Sequence, residues 1–297
     1  MLLLDQTLAK VQSFLDEIDR LANSEFPYDD SKVAIEQLRV IYDQKLKRLE
    51  QFDDMSNIAL VSTTCRAAMV SLIEHLPLLG FILRSTNVRN SFDAFGPFLR
   101  LAVKLLEPGA EQSQRKTRLL LSSEWRYSPF THYLISDLPN FVFIGLPAPE
   151  SSNPLLLPLT GHELGHIVWI QKGAGTKFTT KAFNLAHKQV MKDPGKFKAT
   201  FNVSLPTDRN SLFASSTWWN AWEWAIKQAA ETFCDFIGLR IFGASYVKAF
   251  AYLLAPDSGR RSVNYPTLRT RMLNMYKAAE HFAIDVPMET KIGRAHV

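Results

Sequence analysis

Two cysteines in 297 residues, Cys65 and Cys234, exclude a disulfide framework. Both fall in apolar stretches that read as helical, so buried free thiols in a reducing compartment are expected. Also missing is an uninterrupted apolar run of the ~20 residues that a membrane-spanning helix needs. The best candidate, 59–83, carries Arg66, Glu74 and His75. The opening Leu2-Leu3-Leu4 is cut short by Asp5, too soon for the core of a signal peptide. A soluble, cytoplasmic protein with no membrane partner is therefore expected. Basic residues outnumber acidic ones, 34 against 29, but form no block. They are scattered (Lys45, Lys47 and Arg48; Arg115, Lys116 and Arg118; Arg260 and Arg261), as solvated helix faces would have them, and no nucleic-acid partner is expected. Internal repeats and low-complexity tracts are absent too.

What is present suits a folded protein with one large core or two modest ones: 46% hydrophobic residues, with 20 Phe and 6 Trp. Leu4, Leu8, Val11, Leu15 and Ile18 recur at three-four spacing and predict a first helix. A second stripe, Leu38, Ile41, Lys45, Leu49 and Phe52, predicts another, with Ser31 as its cap. Residues 59–83 and 92–106 read as two more. Pro108-Gly109 and the polar stretch 111–118 suggest a domain boundary near 120. Residues 132–136 and 141–144 flank Asp137-Leu138-Pro139-Asn140 and read as a short β-hairpin. A helix is expected over 161–171, ended by Gly173 and Gly175, then a peripheral helix and a long excursion over 176–216. Helices over 218–242, 246–254 and 267–282 complete the chain, and Trp218, Trp219, Trp222 and Trp224 are expected to pack against the 161–171 helix. Residues 291–297 (KIGRAHV) resemble a translated sequencing-library adapter and read as a non-native tail.

The 161–171 helix carries His162-Glu163-Leu164-Gly165-His166. Residues i and i+4 share a helix face, so both imidazoles reach one metal ion. Glu163 projects about 100° away around the axis. It stands beside the ion without binding it, as a general base for water must. Zinc is the expected cofactor, since Zn2+ lowers the pKa of a bound water to ~7. A third protein ligand is needed. The position six residues beyond His166 is Lys172, which excludes a third histidine there. Glu231 and Asp235, one turn apart on an otherwise apolar helix, offer a ligand and an acceptor for a ligand histidine's N–H. Glu223 is the rival ligand, and Lys227 is a possible ion-pair partner that would instead leave Glu231 on a solvated face. Cys234 is taken as a buried thiol, off the face that Glu231 and Asp235 share. His75, His132 and His187 have no ligand spacing and are left as ordinary histidines.

HExxH followed by a distant Glu-x-x-x-Asp resembles the gluzincin class of zinc metallopeptidases. Residues 231–271 also resemble a group of uncharacterised bacterial HExxH proteins. These carry Glu-x-x-x-Asp, a helix with Gly-x-x-Tyr, and a His-Pro-Pro or Tyr-Pro-Pro turn with an arginine soon after. Here the matching residues are Gly243-Ala-Ser-Tyr246 and Tyr265-Pro266-Thr267-Leu268-Arg269-Thr270-Arg271; Thr267 replaces the second proline. The resemblance covers about 155–275, and residues 1–120 resemble no family; with the helical stripes above, a mainly α (α+β) fold is expected. A helical N-terminal region, 1–120, would precede a zincin-like domain, 121–290, with a small β-hairpin or sheet beside the active-site helix. The resemblance implies a zinc metallopeptidase acting on a peptide or protein substrate, with His162, His166 and Glu231 as metal ligands, Asp235 behind them and Glu163 catalytic. Tyr265, Arg271 or Arg269 would steady the oxyanion. Two alternatives stay open: a metallohydrolase of another substrate, and a zinc-binding helical interaction module without catalysis. The sequence leaves the oligomeric state undetermined.

Overall fold

The computed structural model describes residues 2–53, 56–86, 95–109, 114–132, 135–150, 153–201, 212–254 and 265–286. The tail 291–297 and much of the excursion after 201 lie outside the described residues. The fold is mainly helical with one small mixed sheet. The chain divides into two compact units, Met1–Ser152 and Asn153–Val297.

The first unit begins with α1 (Leu2–Ala22), α2 (Asp29–Glu50), α3 (Ile58–Leu83) and α4 (Phe95–Leu106). The α1 stripe is buried as its spacing requires, through Leu4, Val11, Phe14, Leu15, Ile18 and Leu21. Burying a side chain such as Ile18 stabilises the unit by about 2 kcal/mol. Helix α2 differs in detail from expectation. Tyr28 occupies the N-cap, and Ser31 lies inside the helix. The reason is Asp30: its buried carboxylate accepts from Arg115, Arg118 and the Leu119 amide, which draws the helix start onto the next strand. Helix α3 is long and apolar enough, by length and composition, to cross a membrane. One face of it nevertheless joins the core through Cys65, Ala68, Leu72, Leu78, Phe81 and Ile82. Its His75 is buried against the Tyr42 hydroxyl, 3.0 Å away.

The sheet has the order β1-β3-β2, with β1 (Arg118–Glu124), β2 (Phe130–Thr131) and β3 (Phe141–Pro147). β3 is central and wholly buried, pairing antiparallel with β2 and parallel with β1. β1 has no counterpart in the sequence reading. It is covered on both faces, and such a strand reads as a continuous apolar run, here Leu119-Leu120-Leu121, without alternation. The expected boundary near 120 falls inside this strand. The observed division comes at 152/153, because the β1–β3 pairing keeps residues 118–147 together. The sheet thus belongs to the first unit and not, as expected, to the unit that carries the HExxH helix.

The second unit holds α5 (Thr160–Gln171), α6 (Ala174–Lys192), α7 (Pro194–Phe201), α8 (Leu212–Phe242), α9 (Ala244–Leu254) and α10 (Leu268–His281). Gly173, at φ +63°, makes the left-handed turn between α5 and α6, while Gly175 lies inside α6 against the Trp169 ring. A core of Leu156, Leu159, Leu239, Tyr246, Val247, Phe250, Leu253, Met272 and Met275 joins the approach to α5 with α8, α9 and α10. Trp219 and Trp222 meet Phe183 of α6, and Phe233 packs on Trp169 of α5.

Candidate metal centre

Helices α5 and α8 approach along a seam of small residues. A Cβ on Gly161 would lie 2.9 Å from the Gly238 Cα, and one on Gly165 only 2.7 Å from the Cys234 Cα. Gly161 and Gly165 are four apart, as are Cys234 and Gly238, so each helix contributes one narrow stripe. The close approach brings the neighbouring polar side chains within reach of one another.

His162 and His166 stand one turn apart on α5, ring centroids 4.9 Å apart and nearly perpendicular. Each turns its Nε2 toward Glu231 of α8. His162 Nε2 is 3.1 Å from Glu231 Oε2, and His166 Nε2 is 3.6 Å from Oε1. Donors bound ~2.0–2.2 Å from one tetrahedral ion lie about 3.3–3.6 Å from each other. Two imidazole nitrogens and a carboxylate are donors that zinc takes, and the two separations to Glu231 lie at or near that range.

Behind the ligands lies a buried network. The other nitrogen of His162, Nδ1, is 2.9 Å from Asp235 Oδ1. Asp235 also accepts from the Tyr246 hydroxyl of α9 at 2.7 Å. Arg271 of α10 donates to it twice, through Nε at 2.8 Å and Nη2 at 2.6 Å. Burial disfavours the Asp235 carboxylate, but the Arg271 guanidinium and the His162 hydrogen bond outweigh it and hold the group well below the usual carboxylate range. Burial likewise works against a charged His162, yet its hydrogen bonds to Asp235 and Glu231 raise its pKa to about 9. An ion at Nε2 would take the place of a proton there and leave the Nδ1 contact with Asp235 in place. His166 is pushed down to about 4 by burial and by the charge of His162, so its lone pair is available for an ion at neutral pH.

Glu163 is buried on α5 and near enough to Cys234 for its charge to act on the thiol. Glu223 is exposed and paired with Lys227 at 2.8 Å, which removes Glu223 as a ligand and Lys227 as a partner for Glu231. Arg271 sits elsewhere than an oxyanion donor should. Its guanidinium is spent on Asp235, on the Nδ1 side of His162, and lies over the Phe250 ring. Tyr265 is exposed, its ring 5.9 Å from that guanidinium. Arg269 is exposed as well.

Two residues of the site had no role in the sequence reading. Tyr246 was visible only as part of Gly-x-x-Tyr. Cys234 is the buried free thiol that was expected, but it does not lie off the Glu231 face. Residues three apart on a helix are neighbours just as those four apart are. The Cys234 sulfur forms a cluster with His162 and His166, their ligand atoms all within 4.8 Å of one another. No family model, curated protein or solved structure matches the chain.

Proposed function

We propose that the protein is a zinc-dependent hydrolase, a metallopeptidase that cleaves amide bonds. The observation that carries this reading is the meeting of His162 Nε2 and His166 Nε2 on the Glu231 carboxylate, with Glu163 one residue from the first imidazole. When bound, zinc supplies an acidified water and a Lewis acid for the carbonyl oxygen. His162, His166 and Glu231 hold the ion. Asp235 keeps the His162 proton on Nδ1 and so presents Nε2 as a donor. Glu163 accepts the proton of the attacking water and returns it to the leaving amine. Tyr246 and Arg271 position Asp235 and touch no substrate. Likeness to gluzincins supports a peptide bond as substrate, and it rests on the HExxH and Glu-x-x-x-Asp residues alone.

The test is Glu163→Gln, with the zinc-loaded full chain presented with a peptide library. Wild type is expected to cleave. The variant should keep one zinc per chain while kcat drops ~10²–10⁴-fold, the range of general-base catalysis. Zinc-loaded wild type that cleaves no member of the library would end the peptidase reading.

A further inference from the structure

We propose, on the footing of the zinc reading above, that Cys234 is an internal thiol ligand of the same ion, occupying the coordination place that hydrolysis needs open. Three observations support it. Helix α8 comes close to α5 at Cys234: a Cβ on Gly165 would lie 2.7 Å from its Cα and 3.2 Å from its Sγ. A glycine at 165 thus leaves the sulfur the space between the helices. The Cys234 sulfur and one ring nitrogen from each of His162 and His166 fall within 4.8 Å of one another. Cys234 follows Glu231 by three residues, so thiol and carboxylate share the α8 face turned to the imidazoles. The thiol is free and fully buried.

The chemistry of the donors agrees. Zinc takes thiolate, imidazole and carboxylate together, and sites with four protein ligands are closed, whereas catalytic sites keep one position for water. With His162, His166 and Glu231, Cys234 would supply the fourth protein ligand of a closed site. On ligation the S–H bond breaks, the sulfur electron pair goes to the ion, and the displaced water leaves with the proton. The reverse exchange restores the thiol and readmits water, with no oxidant or reductant. Cys234 is thus a reversible brake built into the metal helix pair: it competes with water for one place on the ion, slowing turnover without abolishing it.

Cobalt(II) in place of zinc tests this. Wild-type full chain loaded with Co2+ should show tetrahedral visible bands together with a near-ultraviolet thiolate-to-cobalt charge-transfer band. Cys234→Ala should lose the charge-transfer band and keep the visible bands; Cys234→Ser should do the same. Visible bands without charge transfer in wild type would overturn the thiol ligand and leave the zinc reading standing. A charge-transfer band that survives in both variants would also overturn it, since the sulfur would then be Cys65. Absence of any cobalt spectrum dependent on His162 would remove the metal reading and the thiol ligand together.

Discussion

Asp235 Oδ1 lies 2.9 Å from His162 Nδ1, while the Nε2 of the same ring faces Glu231 at 3.1 Å. One imidazole therefore spans two carboxylates with separate tasks. In the proposed reading Glu231 would share an ion with it, and Asp235 would set which nitrogen is free to bind that ion. Losing either should weaken the metal, by different amounts.

For Glu231→Ala, metal analysis of purified protein should find far less than one zinc per chain. For Asp235→Asn, zinc should still bind, with affinity lowered ~10–100-fold, the usual cost of removing a partner behind a metal ligand. Competition with a chelator of known affinity gives both numbers. Stoichiometric, unweakened zinc in Glu231→Ala would take that residue out of the centre.

Arg271 is the cation that Asp235 relies on, and both are buried. Arg271→Met should leave the buried carboxylate only its contacts with His162 and Tyr246, and cost up to about 3–5 kcal/mol. Denaturant unfolding of the metal-free protein measures this apart from any effect of zinc. A loss under ~1 kcal/mol would mean that the pair contributes little.

Gly165→Ala sets two effects against each other. Alanine favours a helix over glycine by about 1 kcal/mol. The new Cβ, however, would sit 2.7 Å from the Cys234 Cα, which is backbone and cannot swing aside. Overpacking of this kind costs about 1–3 kcal/mol, so the net effect should be a lower Tm and weaker zinc binding. An unchanged or higher Tm would show that α5 and α8 part without penalty.

In the first unit, burial lowers the pKa of His75 below 6.5, against the smaller opposing pull of Asp137. The unfolded chain then binds more protons than the folded one as pH falls through about 6.5, and stability falls with it. The His75 contribution is complete above that pH and is lost below it, toward the folded value. His75→Gln should flatten the pH dependence of unfolding between about pH 5 and 7, relative to wild type. An identical slope in the two proteins would show that His75 does not titrate on unfolding.

How legible the site was in sequence depended on distance along the chain. His162, His166, Glu231 and Asp235 could be read because each pair repeats at four residues on a helix, where spacing alone sets a common face. Arg271 was singled out as an oxyanion donor, and the structure gives it two hydrogen bonds to Asp235. Nothing in local spacing tells an arginine 36 residues away whether it faces a carbonyl or a buried carboxylate. Cys234 was lost to too narrow a view of one helix face. β1 was hidden because a strand covered on both sides shows no period-two pattern. The α1 stripe and the α3, α9 and α10 spans were plain in the sequence, as strongly periodic or sharply bounded apolar segments are.

The donors that meet on Asp235 come from α5, α9 and α10, the last of them 109 residues after His162. A growing polypeptide thus displays both imidazoles long before it can supply the guanidinium that steadies them. A fragment ending ahead of Leu268 would possess every proposed ligand and still lack the counter-charge for its innermost acid. In the proposed reading, competence of the centre waits on a later helix that supplies no ligand.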